Sequence, residues 1–305
     1  MLVFATSDKG GTGRSVTGCN VAYRRALQGG DVCYLDFDFG SPTAGAIFEV
    51  TSAAMGVDRG GLHSTLLGRV AEPTRVDIWN ESERGILRGR PARAGQLVLM
   101  PGDSGGGEFP MNDEVVRRCA ELFMRVEEEF ELCIVDLSAG RSHAIDMALE
   151  VTGRPELRGI TTRWLVFHRW TRQHIMAASG LVFGARGLLR AGVAHGHDEN
   201  ALRDSIRFVR TAVLDPSSTD LAQIRPAQAA WLENCNRDLQ ELAARLNLGR
   251  SMVLGQTPLD PVLQWREQLI SDSDVTASHI ANAGTALAFD DLAKRLTDES
   301  AWEGL

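Results

Sequence analysis

The chain has 305 residues, of which 44% are hydrophobic and 24% charged, and its formal net charge is −8. That length allows a substantial buried core, and the negative balance excludes broad electrostatic capture of nucleic acid or anionic lipid, leaving room only for a local basic patch. The short apolar start carries no basic flank, which predicts neither a signal peptide nor a membrane span and places the protein in the cytoplasm.

The first predicted element is a strand at residues 2–5. It runs into Lys9-Gly10-Gly11-Thr12-Gly13-Arg14, and Ser15 opens a segment with helical spacing to residue 28, closed by Gly29-Gly30. Strand, glycine loop and helix in this order turn backbone N–H groups into one concavity at the positive end of a helix dipole, and the natural occupant is a polyphosphate. Two residues depart from the ordinary pattern G-x-x-x-x-G-K-S/T. Asp8 stands where the first glycine would be, and Arg14 stands where the lysine would be. The chain holds thirty arginines and two lysines, Lys9 and Lys294, so a retained lysine in this loop points to a need for a compact ammonium.

Residues 32–35 predict a second strand, delivering Asp36 and Asp38 at its carboxyl end. Residues 40–96 read as a long insertion with a helix near 62–70. A strand at 97–100 and an amphipathic helix capped by Asn112 or Asp113 and running to about residue 130 follow. Residues 132–135 then form a buried strand ending in Asp136, with a small-residue turn after it; this is a Walker B arrangement, which brings a carboxylate to the phosphate crevice. Further strands are predicted at 164–167, 206–209 and 252–254. Helices are predicted at 172–183, 198–204, 227–247 and 276–296, and a loop insertion at 184–198. The alternation predicts a single α/β domain over residues 1–305: a doubly wound, mostly parallel sheet of about seven or eight strands with helices on both faces.

In this combination the chain resembles the deviant Walker A ATPases of the MinD/ParA group (SIMIBI class). The similar parts are Ser7 to Ser15, Asp36-Phe37-Asp38, Asp136-Leu137-Ser138-Ala139-Gly140, and the late loop Gly255-Gln256-Thr257-Pro258-Leu259-Asp260. The resemblance implies ATP and Mg²⁺ as cofactors and a nucleotide-dependent homodimer that engages a protein partner and is reset by weak ATPase activity. It implies that Lys9 reaches across the dimer to the partner's phosphates and that Asp38 orients the attacking water. It makes Ser15, Asp36 and Asp136 the residues around the metal. The nucleotide cradle it implies is Lys9, Gly10, Gly11, Thr12, Gly13, Arg14, Ser15 and Val16, with Arg210, Thr211, Pro258, Leu259 and Asp260 toward the base. Arg210-Thr211 stands where the group often has an adenine-reading Asn, so base preference is less defined than phosphate binding.

Arg14 opens an alternative: a guanidinium is wider and planar, and a non-hydrolysing nucleotide-binding scaffold is the second reading. A ParA-like protein binding nonspecific DNA is a third, with Arg88-Gly89-Arg90-Pro91-Ala92-Arg93 as the best local basic patch. The acidic closing segment 296–305 predicts no membrane anchor of the MinD kind. The five cysteines show no paired spacing and read as buried thiols, and Trp164, Trp170, Trp231 and Trp265 read as packing residues.

Overall fold

The computed structural model describes residues 1–214 and 225–303; Gly304 and Leu305 of the acidic closing segment lie outside the described residues. Its centre is one eight-stranded sheet. The strands are β1 (Leu2–Thr6), β2 (Val32–Phe37), β3 (Val76–Asp77), β4 (Leu97–Met100), β5 (Leu132–Leu137), β6 (Thr162–Arg169), β7 (Ile206–Val213) and β8 (Val253–Pro258). In space they run β3-β4-β2-β5-β1-β6-β7-β8. All neighbours pair in parallel except β3 with β4. The seven predicted strands are therefore present, and the two-residue antiparallel β3 is an addition.

Period-2 alternation sorts the strand side chains onto two faces. Leu2 and Phe4 of β1, Cys33 and Leu35 of β2, and Cys133 and Val135 of β5 enter one apolar layer. That layer lies under the helices Asp113–Glu129, His143–Thr152 and Arg172–Phe183. Val3, Val32, Tyr34, Leu132 and Ile134 enter the opposite layer, covered by the helices Arg14–Leu27 and Ala283–Thr297. By the same parity, Asp36 and Asp136 belong to the second face, two residues beyond Tyr34 and Ile134. Their Cα atoms are direct register partners on adjacent strands. The helix that follows the glycine loop covers that face, so loop and carboxylates meet at the carboxyl end of the central strands, where open parallel sheets hold ligands.

Several local expectations are corrected. The helix predicted at 62–70 stops at Leu66, with Gly68 in the left-handed region just beyond. The predicted loop at 184–198 contains the helix Leu188–Ala194, whose Leu188, Leu189 and Gly192 are buried. The closing helix expected at 276–296 is two pieces, Asp272–Thr276 and Ala283–Thr297, separated around His279 at φ 51°. Trp164 and Trp170 are buried, but Trp231 and Trp265 are 64% and 86% exposed. Trp231 lies in the outer half of the helix Pro226–Arg245, which buries only Ala243. Cys19, Cys33, Cys119 and Cys133 are buried free thiols and Cys235 is partly exposed.

Candidate nucleotide site

The glycine loop is shaped by two left-handed residues, Gly11 (φ 69°) and Gly13 (φ 74°). Gly13 ends the loop as the cap of the Arg14–Leu27 helix, and its carbonyl already accepts the first helical bond from Thr17 N at 2.9 Å. Two contacts pin the loop. Gly140 N donates to Ser7 O at 2.7 Å, tying it to the turn after β5. The Thr211 hydroxyl donates to Thr12 O at 2.5 Å, tying it to β7. Lys9 stands exposed on the rim.

Two adjoining cavities follow this loop. One, of about 140 Å³, is lined by Ser7, Gly10 through Val16, Asp38, Thr43, Ala139 and Glu267. The other, of about 220 Å³, continues past Gly11, Thr12, Gly13 and Val16 to Arg169, Thr211, Thr257, Pro258, Asp260 and Gln264. The first is bounded mainly by the backbone of the loop and the second by side chains at the ends of β6, β7 and β8.

The expected residues take different places. Gly10, Gly11, Thr12, Gly13, Arg14, Ser15, Val16 and Asp38 converge on the first cavity, and Thr211, Pro258 and Asp260 on the second. The Asp260 carboxylate faces away from a ligand: it accepts from Val262 N at 3.1 Å, Asn282 N at 2.9 Å and the Thr285 hydroxyl at 2.7 Å. Arg210 points elsewhere, with its guanidinium 4.1 Å above the Trp170 ring and Nη2 donating to Leu248 O. Leu259 lines a different cavity, together with Trp170 and Leu239. Arg169 and Glu267 line the cleft without having stood out in the sequence. Glu267 is there because Asn20 and Arg24 of the loop's own helix hold the backbone at Gln268 and Ile270.

The floor of the first cavity is an ion-pair cluster. Arg14, 6% exposed, donates from Nε to Asp136 Oδ1 at 2.5 Å and from Nη2 to Asp38 Oδ2 at 2.8 Å. Ser15 Oγ is 3.4 Å from the same Nη2. The other oxygen of Asp136 accepts from the Tyr34 hydroxyl at 2.8 Å. Burial alone would lower the pKa of Arg14, but Asp136 and Asp38 outweigh it and hold the guanidinium charged. Asp36 behaves in the opposite way. Burial first, and then the charge of Asp136, push its carboxyl up to about 8, against the N–H groups of Ala44 and Asp38 that it accepts.

This donor set does not fit magnesium. Mg²⁺ requires near-octahedral oxygen ligation at about 2.0–2.1 Å. Both oxygens of Asp136 are engaged, those of Asp36 accept from two backbone N–H groups, and Asp38 and Ser15 face a guanidinium. A dication beside Arg14, at about 4 Å, would meet roughly 8 kcal/mol of repulsion at an effective dielectric constant of about 20. Displacing Arg14 would strand a buried cation, at about 3–5 kcal/mol.

Strand, glycine loop, helix and a strand-end aspartate on the neighbouring strand define a P-loop nucleotide-binding fold. Solved structures sharpen this to the MinD/ParA type of P-loop ATPase fold. The MinC:MinD cell division protein complex of Aquifex aeolicus superposes with a TM-score of 0.60 at 15% identity, covering 100% of this chain and 97% of that one. A plasmid partition protein of Borrelia burgdorferi bound to AMPPNP gives 0.61 at 11% identity, with 97% of each chain covered. The septum site-determining protein MinD of Pyrococcus horikoshii, complexed with Mg-ADP, gives 0.55 at 13% identity over 100% of both chains. No protein-family model matches the sequence. No curated protein matches it either.

Proposed function

We propose that this protein is a nucleotide-operated switch: ATP bound in the cleft joins two copies, and the joined form engages a protein partner. The observation that carries the reading is the pinned glycine loop, with backbone donors and a helix N-terminus facing the cavity and Lys9 exposed on its rim. An ammonium standing outside its own cleft can serve a phosphate bound in a second copy. Among the neighbours, the Aquifex protein is a MinC:MinD complex and the Borrelia protein is bound to AMPPNP, which supports partner and nucleotide binding here by analogy of fold. A difference in the partner's affinity for the two nucleotide states would make the switch useful. A cytoplasmic location suits it, and among the described residues no helix is long and apolar enough to cross a membrane.

The second reading, a scaffold that binds nucleotide without cleaving it, is favoured by the Arg14–Asp38 pair. Phosphoryl transfer depends on a residue free to orient the attacking water, the part expected of the Asp38 carboxylate. Here that carboxylate is paired with a cation. ParA-like DNA binding is a third outcome, less favoured because Arg88 and Arg90 donate to backbone carbonyls of their own segment.

Light scattering with and without AMP-PNP tests the switch. The wild type should shift from monomer to dimer with nucleotide. Lys9→Ala should weaken that dimer about tenfold or more, with nucleotide affinity of the monomer changed far less, since one charge-assisted contact is worth about 1.5–3 kcal/mol. A single-turnover measurement then separates the readings: phosphate release that disappears in Asp38→Ala belongs to a switch reset by hydrolysis, and tight binding without release belongs to the scaffold. Duplex DNA retained only with nucleotide at low salt would favour the third. A dimer unaffected by nucleotide would overturn the proposal.

A further inference from the structure

Resting on the reading of the cleft as a nucleotide site, we propose that Arg14 is the resident cation of that site and that nucleoside triphosphate binding here requires no divalent metal. The guanidinium lies on the floor of the phosphate-sized cavity, within hydrogen-bond distance of both Asp136 and Asp38, and Ser15 Oγ is close to the same nitrogen. A hydroxyl and two carboxylates around one point are the oxygens a metal would use, and one side chain of this chain already answers them.

The remaining groups agree with this. Asp36 gives its two oxygens to the N–H groups of Ala44 and Asp38, and Tyr34 takes the outer oxygen of Asp136. Asp36, Asp38 and Asp136 thus each accept a hydrogen bond from this chain's own groups, and Glu267 is the further carboxylate that lines the cavity. Arg14 nevertheless keeps a free hand. Guanidinium carries five N–H donors in a planar fork. Nε and Nη2 are used, whereas Nη1 makes no hydrogen bond among the described residues. Arg14 can therefore hold Asp136 and Asp38 with one edge while Nη1 donates to a phosphate oxygen. Arg169 lines the adjoining cavity and supplies further positive charge. A lysine at position 14 would present its three donors from one atom, in place of a planar fork that holds two carboxylates along one edge.

The test measures binding of a fluorescent ATP analogue to the full chain, in EDTA and in excess Mg²⁺. The wild type should bind with dissociation constants that agree within about threefold in the two conditions. Arg14→Lys, which frees one carboxylate, should bind weakly in EDTA and tighten about tenfold or more with Mg²⁺. Electron paramagnetic resonance of Mn²⁺ gives an independent readout: the wild type with ATP should leave the metal on the nucleotide, with the same Mn²⁺ affinity as free ATP, and Arg14→Lys should hold it more tightly. If Arg14→Lys is unfolded by circular dichroism, the wild-type comparison decides. Wild-type binding that needs Mg²⁺ overturns this inference and leaves the nucleotide site standing. Absence of binding in both conditions overturns both.

Discussion

Arg14 carries more of the site than any other side chain, and its loss is expected to be felt first in stability. Arg14→Met leaves Asp136 buried with its principal cation gone, and removal of one member of a buried pair costs about 3–5 kcal/mol. Urea unfolding should show that loss as a lower midpoint with an unchanged slope. Asp36 makes a different prediction because its proton is held more tightly in the folded chain. Its carboxyl ionises at about 8 when folded and near 3.8 when unfolded. The unfolded chain therefore releases the proton first as pH rises. Stability from this group is fully present below 3.8, declines as pH rises toward 8, and is gone above it. Asp36→Asn cannot titrate, so the stability difference between pH 5 and pH 8.5 should be smaller in the variant than in the wild type. An equal difference would assign the protonation to another group.

At the level of elements, the Arg14–Leu27 helix and β2 are fitted to each other through Gly18. A Cβ at Gly18 would lie 3.1 Å from the Tyr34 hydroxyl oxygen, so the absent side chain is what lets that hydroxyl reach Asp136. Gly18→Val should push Tyr34 aside and cost about 1–3 kcal/mol by overpacking, despite the better helix propensity of valine over glycine. A thermal midpoint at or above that of the wild type would contradict this. The same pair shows which elements the sequence discloses. Runs such as Leu132-Cys133-Ile134-Val135 and Leu97 to Met100 are legible because buried parallel strands are continuously apolar. β3 is two residues long and carries no period at all. The break between the two closing helices was hidden because its cause is remote: Asp260 captures Asn282 N and the Thr285 hydroxyl from more than twenty positions away. The loop and its carboxylates could be read from spacing, but the pairing of Arg14 with Asp136 across 122 positions could not.

For the molecule as a whole, one sheet separates two apolar layers, and the cleft belongs to only one of them. Asp36, Asp136 and Tyr34 share the face under the Arg14–Leu27 helix, and the opposite layer of Phe4, Phe37 and Phe123 is sealed from it by the sheet. A ligand's arrival is therefore expected to disturb one half of the interior and leave the other silent. Tyr34 sits where that difference can be read. It is one of only two tyrosines in the chain, fully buried, and its hydroxyl ends on the carboxylate that Arg14 also holds. The protein thus carries its own probe, from a core side chain to the cleft floor. With fluorotyrosine incorporated, fluorine magnetic resonance should show two signals, both from the cleft's own layer, and AMP-PNP should move the one that Tyr34→Phe removes further than that of Tyr23, which lies nine residues along the helix from Arg14.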